Sequence, residues 1–265
     1  DGIDTITVGD PSGVVDGIAG SLAIDGGAGA GGGRNGSLSC PGASKTQLFA
    51  TGDSLNIEDI GRTESGTYTV TASTVRRQDT ATIAYANLEF LGVRTGSGAD
   101  QINVENTGTP ITLLDGRAGN DVLAIADTGA LTRVEAAGGP DNDTVTVDNV
   151  GIGAQVAMLG GGYGDLGGAD TLVLRATREN AGVHLLGDEG DDVIRVEGAG
   201  MGSIIQIDRS TGPTDIDTVF LDTNAIQGTA CFVGGTGATL PTVFQLAGAT
   251  FDAAENGGSA TVTLA

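Results

Sequence analysis

Two related stretches decide the fold of this chain: GRAGNDVLAI at residues 116–125 and GDEGDDVIRV at residues 187–196. Each consists of a glycine-rich turn, an aspartate, and a run in which every second residue is apolar. Alternation with a period of two places every second side chain on the same face, as in a β-strand. Both stretches therefore predict a turn that leads into a strand with one buried face.

The same unit recurs along most of the chain. An aspartate precedes an alternating run at seven places: Asp4, Asp100, Asp121, Asp143, Asp170, Asp192 and Asp217. From Asp100 onward, successive units lie 21, 22, 27, 22 and 25 residues apart. The second and fourth residues after each aspartate are always apolar: Ile6 and Val8, Ile102 and Val104, Leu123 and Ile125, Val145 and Val147, Leu172 and Leu174, Ile194 and Val196, Val219 and Leu221. We predict that these fourteen side chains point inward.

A second short strand precedes the turn in several units, as in Thr112 and Leu114, Val134 and Ala136, or Val183 and Leu185. Two strands in about 22 residues form a unit the size of one β-solenoid coil, which buries its apolar face only when coils stack. No segment has the pattern of an amphipathic helix. The sequence therefore predicts an all-β fold: a single right-handed parallel β-helix (β-solenoid) with coils of about 22 residues, roughly 11 or 12 in number.

The prediction treats residues 1–265 as one solenoid domain with two irregular parts. Residues 26–53, which are rich in glycine and serine, are expected to loop out of a coil as an insertion. Residues 229–265 keep the alternation but lose the Gly-Asp turn, so we expect divergent coils or a cap there.

The charge of the chain excludes several partners. The sequence has 34 acidic residues against 12 lysines and arginines, which gives a formal net charge of −22. Such a surface has little to neutralise phosphates, so we expect no nucleic acid and no anionic membrane surface as partners. No run of 18 apolar residues occurs, so we expect no membrane insertion.

Several stretches resemble a long repeat of very large secreted proteins from bacteria and stramenopile algae, which is related in style to hemolysin-type calcium-binding repeats. They are DGIAGSLAIDGGAG (16–29), LNIEDIGRTESGTYTVTASTV (55–75), and LEFLGVRTGSGADQINV (88–104) through LLDGRAGNDVLAI (113–125). The resemblance covers residues 1–130 well and the rest only through the Gly-Asp turns. It implies a secreted β-solenoid of the cell surface or extracellular space with adhesive or fibre-forming roles. The insertion around Cys40 is absent from that repeat.

The aspartates before the strands admit two interpretations. The hemolysin-type nonapeptide G-G-x-G-x-D-x-U-x binds Ca²⁺, and GRAGNDVLA and GDEGDDVIR match most of its key places. This makes calcium a candidate cofactor, with these ligands: Asp100, Asp121, Asp143, Asp170, Asp192 and Asp217. Alternatively, each aspartate caps its turn by accepting backbone N–H bonds. The motif here recurs every 22 residues rather than every 9, which makes a set of six to eight oxygens harder to assemble.

The two cysteines, Cys40 and Cys231, are predicted to lie about eight coils apart, roughly 40 Å along the axis. An internal disulfide would then require a long excursion of the insertion, since bridged Cα atoms lie under about 7 Å apart. A bridge from Cys231 of one subunit to Cys40 of the next needs only end-to-end stacking. The alternative is that both thiols are free, buried and inert.

Catalytic patterns are weak, so we expect no enzyme. The single histidine, His184, is predicted to point outward, and Arg76 and Arg77 are interpreted as solvated charges. The leading hypothesis is a non-enzymatic extracellular building block of a fibre, surface layer or adhesin stalk. Its expected partner is itself or a neighbouring module, stacked head to tail through open strand edges at both ends. The alternatives are a calcium- or glycan-binding β-helix module and, less favoured, a polysaccharide-active β-helix enzyme.

Overall fold

The three-dimensional structure is a computed structural model. It describes residues 4–18, 20–27, 32–40, 43–161, 167–208, 217–222, 224–233, 243–247 and 260–263. Within 32–51 and after residue 231 the description covers the backbone alone. The described residues form strands and turns without any helix, so none of them belongs to a helix long and apolar enough to cross a membrane.

Two long sheets make up most of the molecule, and their strands are numbered in chain order. The first sheet has ten strands, in this spatial order: β1 (Thr5–Val8), β5 (Ser54–Glu58), β9 (Phe90–Arg94), β11 (Ile111–Asp115), β13 (Arg133–Ala137), β15 (Gln155–Leu159), β17 (Gly182–Leu186), β19 (Ile204–Asp208), β21 (Thr229–Val233) and β23 (Ala260–Thr263).

The second sheet has eleven strands, in this order: β2 (Leu22–Asp25), β8 (Ile83–Ala86), β7 (Thr74–Arg77), β6 (Thr67–Val70), β10 (Gln101–Val104), β12 (Val122–Ile125), β14 (Thr144–Val147), β16 (Thr171–Leu174), β18 (Val193–Val196), β20 (Thr218–Asp222) and β22 (Val243–Ala247). A separate antiparallel hairpin joins β3 (Gly32–Cys40) to β4 (Ala43–Thr51).

From β9 onward the chain alternates between the two sheets, and each strand as far as β20 pairs in parallel with the strand one coil later. Phe90 pairs with Ile111 and Ile111 with Arg133, which are steps of 21 and 22 residues. The step from Gln155 to Gly182 is longer, at 27 residues. The predicted parallel β-solenoid is therefore confirmed, with coils close to the expected size.

The core lies between the two sheets and runs the length of the solenoid. Thirteen of the fourteen side chains predicted to point inward are buried, and Ile6 at the first coil is partly buried against the same core. Val145, at the middle of the array, is fully buried. The inward positions of the upstream strands, such as Leu114 and Leu185, are buried as well. Alternation thus predicts the buried face correctly in both sheets.

The first third of the chain departs from regular coiling. β6, β7 and β8 form an antiparallel meander, which fills the second sheet between β2 and β10. Residues 32–51 leave the coil as the β3–β4 hairpin. Within the described residues the first sheet holds nine parallel strands. The prediction of 11 or 12 coils is therefore too high, because the meander and the hairpin use residues that regular coils would need.

The hairpin lies along the outside of the solenoid. β3 lies close to β19 and β21, although the hairpin is joined to β5, seven strand spacings from β21 in the first sheet. Seven spacings are about 34 Å, and a nine-residue strand spans about 30 Å, so the hairpin must run roughly parallel to the solenoid axis to make these contacts.

The last strand of the first sheet, β23, runs opposite to the other strands of that sheet. β23 pairs with β21 in antiparallel fashion, with Thr229 opposite Thr263. The parallel arrangement of this sheet therefore stops at β21, and the antiparallel β23 forms its C-terminal edge. In the second sheet β22 continues the parallel arrangement from β20.

Candidate functional site

The six aspartates named as candidate ligands form a single buried row. Each lies at the turn from the first sheet to the second, directly before a strand of the second sheet. Their exposed fractions range from 1% to 5%: Asp100, Asp121, Asp143, Asp170, Asp192 and Asp217. We call this row the aspartate ladder. The sequence predicts the row but not its burial.

One carboxylate oxygen of each ladder residue accepts a hydrogen bond from the coil before it. The backbone N–H of Asp121 donates to Oδ1 of Asp143 at 2.6 Å, and that of Asp143 donates to Oδ1 of Asp170 at 2.7 Å. The same bond joins Asp100 to Asp121, Asp170 to Asp192, and Asp192 to Asp217. The carboxylates accept backbone N–H bonds, as turn capping requires, but the donor belongs to the neighbouring coil. The ladder therefore links coils rather than closing single turns.

The other carboxylate oxygen, Oδ2, is buried without a hydrogen-bond partner in Asp121, Asp143, Asp170 and Asp192. It lies against the first glycine of its turn. A Cβ at Gly138 would lie 2.5 Å from Oδ2 of Asp143 and 2.6 Å from the carbonyl oxygen of Gly160 in the next coil. Since real Cβ atoms do not approach other atoms so closely, a glycine is required there by space rather than by its backbone dihedral angles.

Burial changes the protonation of these carboxyl groups. Loss of solvent raises the pKa of Asp121, Asp143 and Asp192 to about 8, while the N–H bond from the preceding coil acts in the opposite direction. Neighbouring carboxylates raise the pKa of these groups further. For Asp170, burial raises the pKa to about 6. A charged form is disfavoured because burial removes the water that would solvate it.

The ladder contains one natural exception, at Asp100. Thr95 occupies the position of the first glycine, and its Oγ1 lies 2.5 Å from the carbonyl oxygen of Gly116. Its hydroxyl also hydrogen-bonds to the Asp100 carboxyl group, whose Oδ2 accepts the N–H of Gly96 at 3.1 Å. Burial raises the pKa of Asp100, but the bonds from Gly66, Thr95 and Gly96 oppose it. At this coil a hydroxyl therefore lies between the carboxyl group and the carbonyl oxygen.

Part of the oxygen set that a calcium ion would need is already used in hydrogen bonds within the ladder. Ca²⁺ takes six to eight oxygens, whereas Oδ1 of each ladder residue already accepts an N–H bond, and at Asp100 Oδ2 accepts another. Across the described part of the chain, no group of three or more histidine, cysteine, aspartate or glutamate side chains is arranged to hold a metal ion. Calcium binding by the ladder residues therefore stays a prediction.

A second hydrogen-bonded row lies at the opposite corner of the coils, and the sequence reasoning missed it. The hydroxyl oxygens of Thr107, Thr128 and Thr177 accept N–H bonds from Gly129, Gly151 and Gly200 of the following coil, at 2.9 to 3.0 Å. All three threonines are buried. The sequence contains a pattern that indicates this row, because each threonine lies three residues after a strand of the second sheet. The pattern is weak because Val150, Ala199 and Ile226 occupy the corresponding places in other coils.

The prediction that Arg77 is a solvated charge is wrong. Its side chain is 3% exposed, and its Nη1 donates to Oδ2 of Asp59 at 2.6 Å. It also contacts Asp16 and Asp79, while the hydroxyl of Tyr68 donates to the same Oδ2 of Asp59. Burial lowers the pKa of Arg77, but its hydrogen bonds to the three aspartates raise it overall. This cluster ties the 10–18 loop to β7 and to the turn after β5.

His184 points outward, as predicted, between buried Val183 and Leu185. Its Nε2 lies 2.7 Å from Oδ2 of Asp208 on β19, and each side chain is 25% exposed. The other side-chain contact of Asp208 is the amide of Gln206. Among the described residues, the hydrogen bonds of this pair include no serine, threonine or cysteine that would act as a nucleophile.

Cys231 is fully buried and disulfide-bonded. The chain has one other cysteine, Cys40, at the end of β3, the hairpin strand that lies beside β21. Cys231 is the register partner of the outward-facing Gln206, so it lies on the outer face of the sheet. The hairpin on that face therefore accounts for its burial. The bridge therefore closes within one chain. The hairpin makes the long excursion that an internal bridge requires, so the bridge needs no second subunit.

The N-terminal end of the solenoid carries an apolar groove of about 420 Å³. Ile6 and Val8 of β1, and Leu22 and Ile24 of β2, line it together with Ile18. β1 and β2 are the terminal strands of the two sheets, so the groove is the open end of the core. Leu22 is 36% exposed there.

Comparison of this chain with protein families, with curated proteins and with solved structures finds no match. The likeness to giant secreted repeat proteins thus stays a prediction that rests on the quoted stretches, and the site is interpreted from its own geometry.

Proposed function

We propose that this chain is a non-enzymatic structural module of the extracellular space or cell surface, which stacks end to end to extend a fibre, layer or stalk. The observation that carries the proposal is the apolar groove at the N-terminal end, flanked by the terminal strands of both sheets. A second copy of the chain is the occupant that best fits it. Its C-terminal end would continue both sheets, with β22 parallel to β2 and β23 antiparallel to β1.

The net charge supports contact through the ends rather than the sides. With a formal charge of −22, two rods placed side by side repel along their whole length. An end-to-end contact brings fewer charges together and buries the groove side chains, such as Ile6 and Leu22. Salt screens the remaining repulsion, since the Debye length falls to about 8 Å at physiological ionic strength. Assembly is therefore expected to increase with salt concentration.

The disulfide supports an extracellular setting. Structural disulfides persist in oxidising compartments and are rare in the cytosol. Cys231 is buried under the hairpin, which is the environment of a structural rather than a reactive cysteine. The proposal for secretion rests on this bridge together with the resemblance stated above.

Glycan binding is the less favoured alternative, because the outward aromatic side chain on the second sheet is already covered. The guanidinium carbon of Arg195 lies 4.0 Å from the ring centroid of Phe220. A sugar that stacks on this ring would have to displace the arginine.

Sedimentation velocity over a range of protein and salt concentrations tests the proposal. We expect elongated oligomers whose fraction grows with both concentrations. Leu22→Lys should reduce this fraction by placing a charge in the groove, whereas Leu131→Lys, at a side chain 81% exposed on a lateral turn, should leave it unchanged. A single monomeric species under all conditions would overturn the proposal.

A further inference from the structure

We propose that the buried aspartate ladder is a proton-loaded ladder, in which Asp121, Asp143 and Asp170 are neutral carboxylic acids that donate Oδ2–H to a glycine carbonyl of the next coil. The acceptors are the carbonyl oxygens of Gly138, Gly160 and Gly187. Each acid then makes two bonds between coils: Oδ1 accepts an N–H from the coil before, and Oδ2–H donates to the coil after.

The first argument is the position of the unpartnered oxygens. Oδ2 of each of these aspartates is buried and lacks a hydrogen-bond donor. At Gly116, the place a Cβ would take lies 2.5 Å from both Oδ2 of Asp121 and the carbonyl oxygen of Gly138. Two acceptor oxygens thus face one small space that contains no donor, which is unfavourable unless a proton or a cation lies between them.

The second argument is the exception at Asp100. There the hydroxyl of Thr95 lies between the Asp100 carboxyl group and the carbonyl oxygen of Gly116, which is the equivalent of Gly138 one coil earlier. The chain thus places an O–H group in this space where the residue is threonine. Where the residue is glycine, the proton of the carboxyl group itself supplies the equivalent O–H.

The third argument is the charge around the ladder. The residues whose charges act most strongly on Asp143 are all acidic: Asp121, Asp170 and Asp141. Asp121 faces Asp100, Asp115 and Asp141, and Asp170 faces Asp188. A negative charge on any one of these neighbours disfavours a second charge on the ladder residue beside it, and burial raises the pKa of the three acids in the same direction.

The direct test is carbon-13 NMR of the aspartate Cγ carbons, assigned by single Asp→Asn variants and followed from pH 4 to pH 10. We expect the ladder resonances to keep their protonated chemical shifts beyond pH 5, with midpoints near 8 for Asp121 and Asp143 and near 6 for Asp170. The exposed Asp25, whose pKa is lowered by hydrogen bonds from Asn87 and Gly27, provides the internal reference for an ionised carboxyl group. Ionised shifts for all three ladder residues at pH 5 would overturn the proposal.

A substitution distinguishes a proton on the ladder carboxyl group from a cation bound to it. Asp143→Asn replaces the neutral acid with an amide of the same shape, which accepts and donates in the same places. We expect its melting temperature to match that of the parent at pH 5 and to exceed it at pH 9. The control Asp148→Asn should follow the parent's pH dependence.

Calcium titration completes the test, with Ca²⁺ itself as the probe. We expect no change in the Cγ resonances of the ladder and the same melting temperature with calcium or with chelator. A calcium-dependent rise in melting temperature that Asp143→Asn abolishes would overturn the proton-loaded ladder and favour a metal site instead. Neither result depends on whether the chain forms oligomers, so the test is independent of the proposed function.

Discussion

The molecule buries carboxyl groups in two different ways. In the N-terminal third, Asp59 is fully buried and bonds to the guanidinium of Arg77 and the hydroxyl of Tyr68. In the regular coils, Asp143 is equally buried but has no cation beside it; one oxygen accepts an N–H and the other has no donor.

The difference follows from repetition. A cation beside each ladder carboxylate would need its own space in every coil, and the stacked glycines leave none, since even a Cβ at Gly138 would clash with Asp143. The irregular meander of β6 to β8, by contrast, brings one arginine to one site. A repeated coil therefore favours a buried carboxyl group that needs no cationic side chain beside it. A site that occurs once in the fold can instead use an ion pair.

The largest expected effect comes from breaking the ion pair. Arg77→Met leaves Asp59 buried without its cation, and loss of one partner of a buried pair costs about 3–5 kcal/mol of unfolding free energy. Chemical denaturation measures this change. The control Arg76→Met alters an exposed side chain and should change stability by less than about 0.5 kcal/mol. Equal effects of the two substitutions would contradict the buried ion pair.

Removal of the disulfide tests whether the two regions unfold together. The bridge ties the hairpin of the first third to β21, close to the C-terminal end of the ladder. We expect Cys231→Ser to lower the free energy of unfolding by about 2–5 kcal/mol, since the bridge closes a long loop. Non-reducing electrophoresis should show a monomer that migrates faster than the reduced chain. A ladder of disulfide-linked oligomers would instead point to bridges between subunits.

The pH dependence of stability distinguishes the two kinds of buried acid. The folded-state pKa of Asp121, Asp143 and Asp192 is raised to about 8 from an ordinary value of 3.8, so the folded chain holds protons that the unfolded chain releases. Their contribution to stability is complete below pH 4 and is lost as the pH rises towards 8. The free energy of unfolding is therefore expected to fall as the pH rises over this range.

Urea unfolding between pH 5 and pH 9 measures this decrease, with the midpoint falling as the pH increases. The exposed Asp25 has the opposite pH dependence. Hydrogen bonds from Asn87 and Gly27 lower its pKa, so its contribution to stability is lost only in acid. Stability that stays constant or rises from pH 5 to pH 8 would mean that the ladder is ionised.

The smallest expected effect concerns a single turn of the ladder. Arg117 replaces the second glycine of the nonapeptide and adopts a positive φ of 67°. A non-glycine residue in this conformation costs about 1 kcal/mol, so Arg117→Gly should raise the free energy of unfolding by about that amount. Asp188 occupies the same position in the turn of a later coil with a φ of 71° and provides a second site for the same test through Asp188→Gly. Destabilisation by Arg117→Gly would show that the arginine side chain stabilises the turn.

The strand pattern could be predicted because it depends on local alternation. Val145 and Leu172 are buried as expected, since a period of two assigns a face to each residue without any knowledge of its neighbours in space. The outward direction of His184 follows from the same rule. The recurrence of the Gly-Asp turn likewise identifies the ladder residues from the sequence alone.

The environment of those residues was decided by the tertiary structure. The sequence identifies Asp143 as a turn residue, but only stacking buries it, gives it the N–H of Asp121 and leaves its Oδ2 beside Gly138. Arg77 became a buried ion-pair partner because the meander folds back on the first coil. The hairpin covers Cys231 because a strand of nine residues is long enough to run along the solenoid axis as far as β21. Periodicity within a strand is a property of the chain, whereas solvent exclusion and contacts between distant segments arise only when coils stack.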